Sequence, residues 1–235
     1  MGAATDLLAS LYALASPEKA AVFMRFFRTG PGQYGEGDRF LGVTVPQVRA
    51  VEKLVRRALT LDDVRELLSH EAHEARTAAL IHLVWRYQKA DAAGREVIFR
   101  FYLDHTSRIN NWDLVDVSAA GIVGAHLFGR DAARLFDLAR SPVLWERRIA
   151  VVATHFFIRQ GRLDETFALC ERLRGDPHDL IHKACGWMLR EAGKSDEARL
   201  RVFLDAHAPA LPRVTLRYAL ERLPADDRAR YLRLR

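Results

Sequence analysis

The stretch Glu146-Arg-Arg-Ile-Ala-Val-Val152 decides how this chain folds, because its pattern recurs. Glu74-Ala-Arg-Thr-Ala-Ala-Leu80 and Ile181-His-Lys-Ala-Cys-Gly-Trp187 share its build, in which a basic residue precedes small and apolar ones. Arg76, Trp112, Arg148 and Lys183 follow one another at intervals of about 35 residues, within the range of two-helix repeats. A single helix pair is too small to bury its own core, so stacking on neighbours has to supply the burial.

Working outward, strand signals are nearly absent. There is no sustained alternation and no hairpin dipeptide between β-branched runs. Helix signals recur instead. Asp6 to Ala15 reads as a short apolar helix, and Ser16-Pro17-Glu18 supplies a cap, a first-position proline and an early acid for the next. Further helices are expected at about 45–58, 61–69, 71–89, 92–105, 112–128, 131–140, 142–160, 163–174, 177–193, 196–207 and 211–223. The expected fold is therefore all-α. It is an α-solenoid of HEAT-like antiparallel helix pairs whose equivalent helices line one concave face. An irregular helix bundle is the structural alternative. One domain over residues 1–235 is expected, with a Gly-rich inter-helix loop at 28–40 and a basic C-terminal tail at 225–235.

Hydrophobic residues make up 49% of the 235, enough for a substantial core. Net charge is +6 and arginine greatly outnumbers lysine, which favours an anionic partner and phosphate in particular. Cys170 and Cys185 make no disulfide framework, so a reducing cytosol is the expected home. Asp6 interrupts the early apolar residues, against a signal peptide, and no apolar run approaches the length of a membrane helix.

The stretch Arg108-Ile-Asn-Asn-Trp-Asp-Leu-Val-Asp-Val-Ser-Ala-Ala120 carries the chemistry. Asn110 and Asn111 are good N-caps. Trp112 and Asp116 lie four apart and share one helical face. Asp113 has a bland explanation, since an acid in the first turn offsets the helix dipole; Asp116, one turn further in, does not. Two similar couples follow, Trp145 with Arg148 and Trp187 with Arg190. The competing reading places the tryptophans in the core with arginines lying over them.

Three other constellations carry less. Gly30-Pro-Gly-Gln-Tyr-Gly35 matches a dinucleotide fingerprint in form only, because it follows a helix and no βαβ unit surrounds it. Its backbone N–H groups could meet phosphate, but Glu36 and Asp38 argue against a simple anion site. His70-Glu-Ala-His73 misses the zinc-protease spacing by one residue, and His178, His182 and Cys185 lack a fourth ligand, so no metal is expected. The arginines at 213, 217, 222, 228, 230, 233 and 235 read as a solvated last helix and frayed tail, or as added phosphate contacts.

Asn111-Trp-Asp-Leu-Val-Asp116, Trp145-Glu-Arg-Arg-Ile-Ala150 and Lys183-Ala-Cys-Gly-Trp-Met-Leu-Arg190-Glu resemble the motifs of the AlkD-type alkylpurine DNA glycosylases, HEAT-like bacterial repair proteins. Phe40-Leu-Gly-Val-Thr-Val-Pro46 adds to the resemblance, which spans about Ala20 to Leu204. It implies that Asp116 is the catalytic carboxylate and that Trp112 and Trp187 flank the sugar-phosphate of the lesion. Arg148 and Arg190 become contacts to the DNA backbone, with Trp145 and Lys183 on the same DNA-binding surface. The implied substrate is double-stranded DNA containing N3- or N7-alkylated purines. Such a base is cationic and leaves neutral, so no general acid is needed, and one carboxylate can stabilise oxocarbenium character at C1′. No cofactor is implied. A monomer is expected, because enveloping a duplex needs the groove free. A HEAT-like protein that binds damaged or branched DNA without excision, and a protein-binding scaffold, stay open as alternatives.

Overall fold

The structure, a computed structural model, describes residues 2–234. Met1 and Arg235, the ends of the expected domain and of the basic segment, lie outside them. Among the described residues every regular element is helical, and the one β-type pairing is an isolated parallel bridge between Arg39 and Ala72. The chain divides into two compact units, Met1–Ser118 and Ala119–Arg235.

Unit one contains α1 (Ala3–Ala13), α2 (Pro17–Phe26), α3 (Val45–Val55), α4 (Leu61–Ser69), α5 (His73–Lys89), α6 (Ala92–Asp104) and the start of α7 (Trp112–Ala119). Several of its helices begin where side chains satisfy orphan backbone N–H groups. Ser16 accepts from Lys19 N ahead of Pro17, and Thr44 with Gln47 and Thr60 with Asp63 form capping boxes. Helix α5 is the centre. Helices α1, α3, α4 and α6 pack on it, and Ala75, Ala78, Ala79, Leu80 and Leu83 are fully buried. A helix covered on nearly every side must also bury its polar residues, and each then needs a partner. His82 Nδ1 meets Glu52 Oε1 at 3.2 Å.

Glu74 has the most demanding set of partners. Its carboxylate, 3% exposed, accepts the backbone N–H groups of Leu41 (2.9 Å), Gly42 (2.9 Å) and Val43 (3.1 Å). Three consecutive donors can point at one oxygen pair because Gly42 has φ +83°. A side chain there would also collide with the Ser16 carbonyl. The Phe40-Leu-Gly-Val segment is thus a cradle closed by a buried carboxylate. Arg108 does the converse work at the C-terminal end of α4, donating to the carbonyls of Leu68 (2.8 Å), Ser69 (3.0 Å) and His70 (3.2 Å).

Unit two contains a π-helical turn (Ala120–Gly124), α8 (Ala125–Leu127), α9 (Ala133–Leu138), α10 (Leu144–Arg159), α11 (Asp164–Arg172), α12 (Asp179–Ser195), α13 (Glu197–His207), α14 (Arg213–Ala219) and α15 (Ala225–Arg233). Helix α10 packs against α12, and α12 against α14. One long helix resting on the next is what stacked repeats require. Two glycines set the closeness. A Cβ on Gly124 would run into the Ala153 carbonyl, and one on Gly186 would lie 2.6 Å from Tyr218 Cβ and 2.7 Å from the Thr215 carbonyl.

Two expectations are corrected here. The helix expected at 112–128 is present but not uniform, since it widens to a π turn where Gly124 brings its backbone against α10. Residues 225–233 are no tail. Asp226 and Asp227 open α15, Tyr231 is fully buried, and its hydroxyl donates to Asp205 at 2.9 Å. Arg201–Asp227 (2.7 Å) and Arg230–Asp205 (2.9 Å) pair across the same contact. The basic residues had concealed the few acids that dock the helix.

Candidate functional site

In unit one the candidate site begins at Asn111. This residue is fully buried, and its Oδ1 accepts the Trp112 N–H at 2.8 Å. Its Nδ2 donates to Asp38 at 3.0 Å. The start of α7 is therefore tied to the Gly-rich loop by a side-chain bridge. Trp112 is half-buried and stacks on Phe27, with centroids 5.0 Å apart and planes 24° apart. Phe26, 62% exposed, meets Trp112 edge-on at 5.7 Å. The stack continues inward from Phe27 to Phe40 (4.8 Å) and from Phe40 to His73 (4.3 Å). Offset stacking of this kind holds an indole at a fixed tilt.

Asp116 is half-buried one turn beyond Trp112, on the same face of α7. It bears on the buried Tyr102, whose hydroxyl lies 2.9 Å from Ser118 Oγ. Burial pushes the Tyr102 hydroxyl above its ordinary range, and the Asp116 charge adds to that.

Asp113 does more than the sequence suggested. Its Oδ2 binds His73 Nε2 at 2.8 Å, and His73 Nδ1 binds Asp38 Oδ2 at 2.9 Å. Arg76 closes the group with an ion pair to Asp38. Burial alone would push the His73 imidazolium down, but the hydrogen bonds and charges of Asp113 and Asp38 raise it to about 9. Burial would likewise push Asp38 up, and His73, Arg76 and Asn111 bring it down to about 2. The residues missed by sequence reasoning are thus His73, Asp38, Phe27 and Phe40. The available signal was the charge on α5: a histidine and an arginine one turn apart in an alanine-rich helix.

The Gly-rich loop uses its donors on itself. Gly30 N binds Gln33 Oε1 at 3.1 Å and Gly32 N binds Glu36 Oε2 at 2.9 Å. Both amides are therefore already paired within the loop.

In unit two, Trp187 and Arg190 are half-buried on α12. Trp187 packs against His155 with ring centroids 5.7 Å apart. Arg190 pairs with Glu221, and its Nε lies 3.5 Å from Glu191. Burial pushes Glu191 up, but Lys194, with help from Arg190 and His155, holds its carboxyl below the usual range. Lys183 is partly exposed and pairs with Asp179 at 2.7 Å. Gly186, beside Trp187, is the close approach to α14 described above.

Trp145 and Arg148 are elsewhere than expected. Trp145 is 8% exposed and Arg148 5% exposed, and Arg148 Nη1 donates to the Leu180 carbonyl at 2.7 Å. Helix α10 is covered on nearly all sides, so its aromatic–cation couple serves packing and the link from α10 to α12, not a surface contact. His178 caps α12 through Leu180 N, His182 binds the Asp176 carbonyl at 2.6 Å, and Cys185 is buried against Cys170. These three are committed to the local structure.

Comparison with known proteins gives the site its context. A solved structure from Enterococcus faecalis, described as a predicted DNA alkylation repair enzyme, superposes with a TM-score of 0.69 at 16% identity. The match covers 90% of this chain and 97% of that one, and at this identity it speaks to the fold. No curated protein matches significantly. The sequence matches the family described as DNA alkylation repair enzyme over residues 7–223. That span takes in Trp112 and Asp116, Trp187 and Arg190, and the helices that hold them, and with it this chain belongs to the family of DNA alkylation repair enzymes.

Proposed function

We propose that this protein is a monofunctional DNA glycosylase of the AlkD type. It hydrolyses the N-glycosidic bond of cationic N3- or N7-alkylated purines in duplex DNA. The observation that carries the reading is Asp116 one turn beyond Trp112, with the indole braced by Phe27. A cationic base departs neutral, so the chemistry needs no protonated acid. It needs negative charge near C1′ as the sugar develops oxocarbenium character, and Asp116 supplies it and positions water. Trp112 lies along the sugar-phosphate, where an indole face attracts electron-poor groups. Trp187 takes the same role in unit two.

Arg190 and Lys183 hold phosphates by exchanging their carboxylate partners for DNA, an exchange that costs least at the more exposed Lys183–Asp179 pair. Trp145 and Arg148 act behind them as scaffold. The protein works as a monomer and without a cofactor. Among the described residues no helix is long and apolar enough to cross a membrane.

Release of 7-methylguanine and 3-methyladenine from alkylated duplex DNA tests the reading. Wild type should release both, and Asp116→Asn should lose about 100-fold or more of the rate while still binding DNA. Equal rates in the two proteins would refute it. Tight DNA binding by wild type with no release over long incubation would favour the non-catalytic alternative.

A further inference from the structure

We propose that His73 is a positioning residue for the candidate site, setting Trp112 and Asp116 through a hydrogen bond to Asp113 and through the aromatic stack that ends on Trp112. The activity part of this inference rests on the glycosylase reading; the positioning part does not.

His73 is the first residue of α5 and is 1% exposed. Each ring nitrogen faces a different carboxylate, Asp38 at 2.9 Å and Asp113 at 2.8 Å. A neutral imidazole can donate from only one nitrogen, so two carboxylate partners require the doubly protonated ring. Among the described residues His73 is the only side-chain partner of Asp113, whose Oδ1 is buried without a hydrogen bond. The charged groups facing the ring are Asp38 from the loop, Asp113 from α7 and Arg76 from its own helix, whose Nη2 lies 3.4 Å from Nδ1. With His73 protonated the four charges cancel. With His73 neutral, the one remaining N–H can bond only one of the two carboxylates, so the ring loses its tie either to Asp113 or to Asp38, which reaches the Trp112 N–H through Asn111.

Three routes lead from this ring to α7. The first is the bond to Asp113, the residue next to Trp112 and three before Asp116. The second runs through Asp38 and Asn111 to the Trp112 N–H. The third is the stack, whose successive rings from His73 to Phe40, Phe27 and Trp112 are tilted by 23°, 16° and 24°. None of the three brings His73 to the solvent-facing side of Trp112, so it acts through other residues.

The test follows Trp112 itself. Near-UV circular dichroism is recorded from pH 7 to 10.5 for wild type and His73→Gln, each against its Trp112→Phe counterpart. The wild-type difference signal should titrate with a midpoint near 9, and that transition should be missing in His73→Gln. Asp113→Asn should lower the midpoint by about one pH unit, which keeps the test decisive if His73→Gln fails to fold. In base release, His73→Gln should lower kcat by about 10- to 100-fold with KM nearly unchanged. A wild-type signal that stays flat, or the same titration in His73→Gln, overturns the proposal. If wild type releases no base, the glycosylase reading fails, and the Trp112 titration still decides the role of His73.

Discussion

Replacing Glu74 tests whether the Phe40-Leu-Gly-Val segment is a structural cradle. Its carboxylate holds three buried backbone donors, from Leu41, Gly42 and Val43, at 2.9–3.1 Å. Glu74→Ala leaves all three without an acceptor. Each buried donor left unmade costs about 1–3 kcal/mol, and partial access of water to the gap reduces the sum, giving a loss of about 3–6 kcal/mol. Glu74→Gln keeps an oxygen for Gly42 and Val43 but turns an NH2 toward the Leu41 N–H. It also removes charge assistance, so it should cost about 1–3 kcal/mol. Urea unfolding followed by far-UV circular dichroism measures both. The control is Glu71→Ala, because Glu71 pairs with Arg39 from the same loop at 2.7 Å but is well exposed; its loss should stay within about 1 kcal/mol. The reasoning is refuted if Glu74→Ala is no more damaging than Glu71→Ala.

Two further predictions follow from the charges. His73 is raised from 6.5 to about 9 in the folded state, so its stabilisation is complete below pH 6.5 and disappears as pH climbs through about 9; at about 1.4 kcal/mol per pH unit this amounts to about 3 kcal/mol. Asp38 is lowered from 3.8 to about 2, so its contribution is present above pH 3.8 and is lost as pH falls toward 2. Urea midpoints should therefore form a plateau between these limits, and in His73→Gln the alkaline decline should be weaker. Arg148 and Lys183 should separate cleanly. Arg148→Ala removes a buried donor to Leu180 and should cost about 2–4 kcal/mol of stability. Lys183→Ala should leave the melting temperature unchanged and reduce the salt dependence of DNA binding by about one phosphate contact. Fluorescence anisotropy with a labelled duplex over a salt series measures the second effect. The reverse pattern would return Arg148 to the DNA surface.

The helices were legible because their signals are local. Ser16 with Pro17, Thr44 three residues before Gln47, and Thr60 three before Asp63 are capping patterns written within one turn. The pairing of Trp112 with Asp116 on one face follows from helical spacing alone. Burial was harder to read wherever a helix is covered on several sides. Trp145 and Arg148 lie in such a helix, and spacing does not say which face meets solvent when almost none does. Long-range polar partners were not legible at all. Asp38 and His73 are 35 residues apart, His73 and Asp113 are 40 apart, and no periodicity joins them. Asp113 consequently read as a dipole acid when its main partner is a buried imidazolium. The C-terminal segment was misread for a related reason, since Asp205 and Asp227 matter through their positions across two helices and not through their share of the composition.

The glycine contact between α12 and α14 has a mechanical consequence. At Gly186 the Tyr218 Cβ and the Thr215 carbonyl sit where a side chain would begin. A contact of backbone on backbone and Cβ atoms has no rotamers to exchange, so its spacing cannot relax by repacking as an ordinary core contact does. The following residue is Trp187, and Arg190 stands one turn on. Both therefore project from a stretch of α12 whose spacing from α14 is set by atoms that cannot change rotamer. In the proposed DNA contact, precision would come from the rail, and adjustment from the indole and guanidinium it carries.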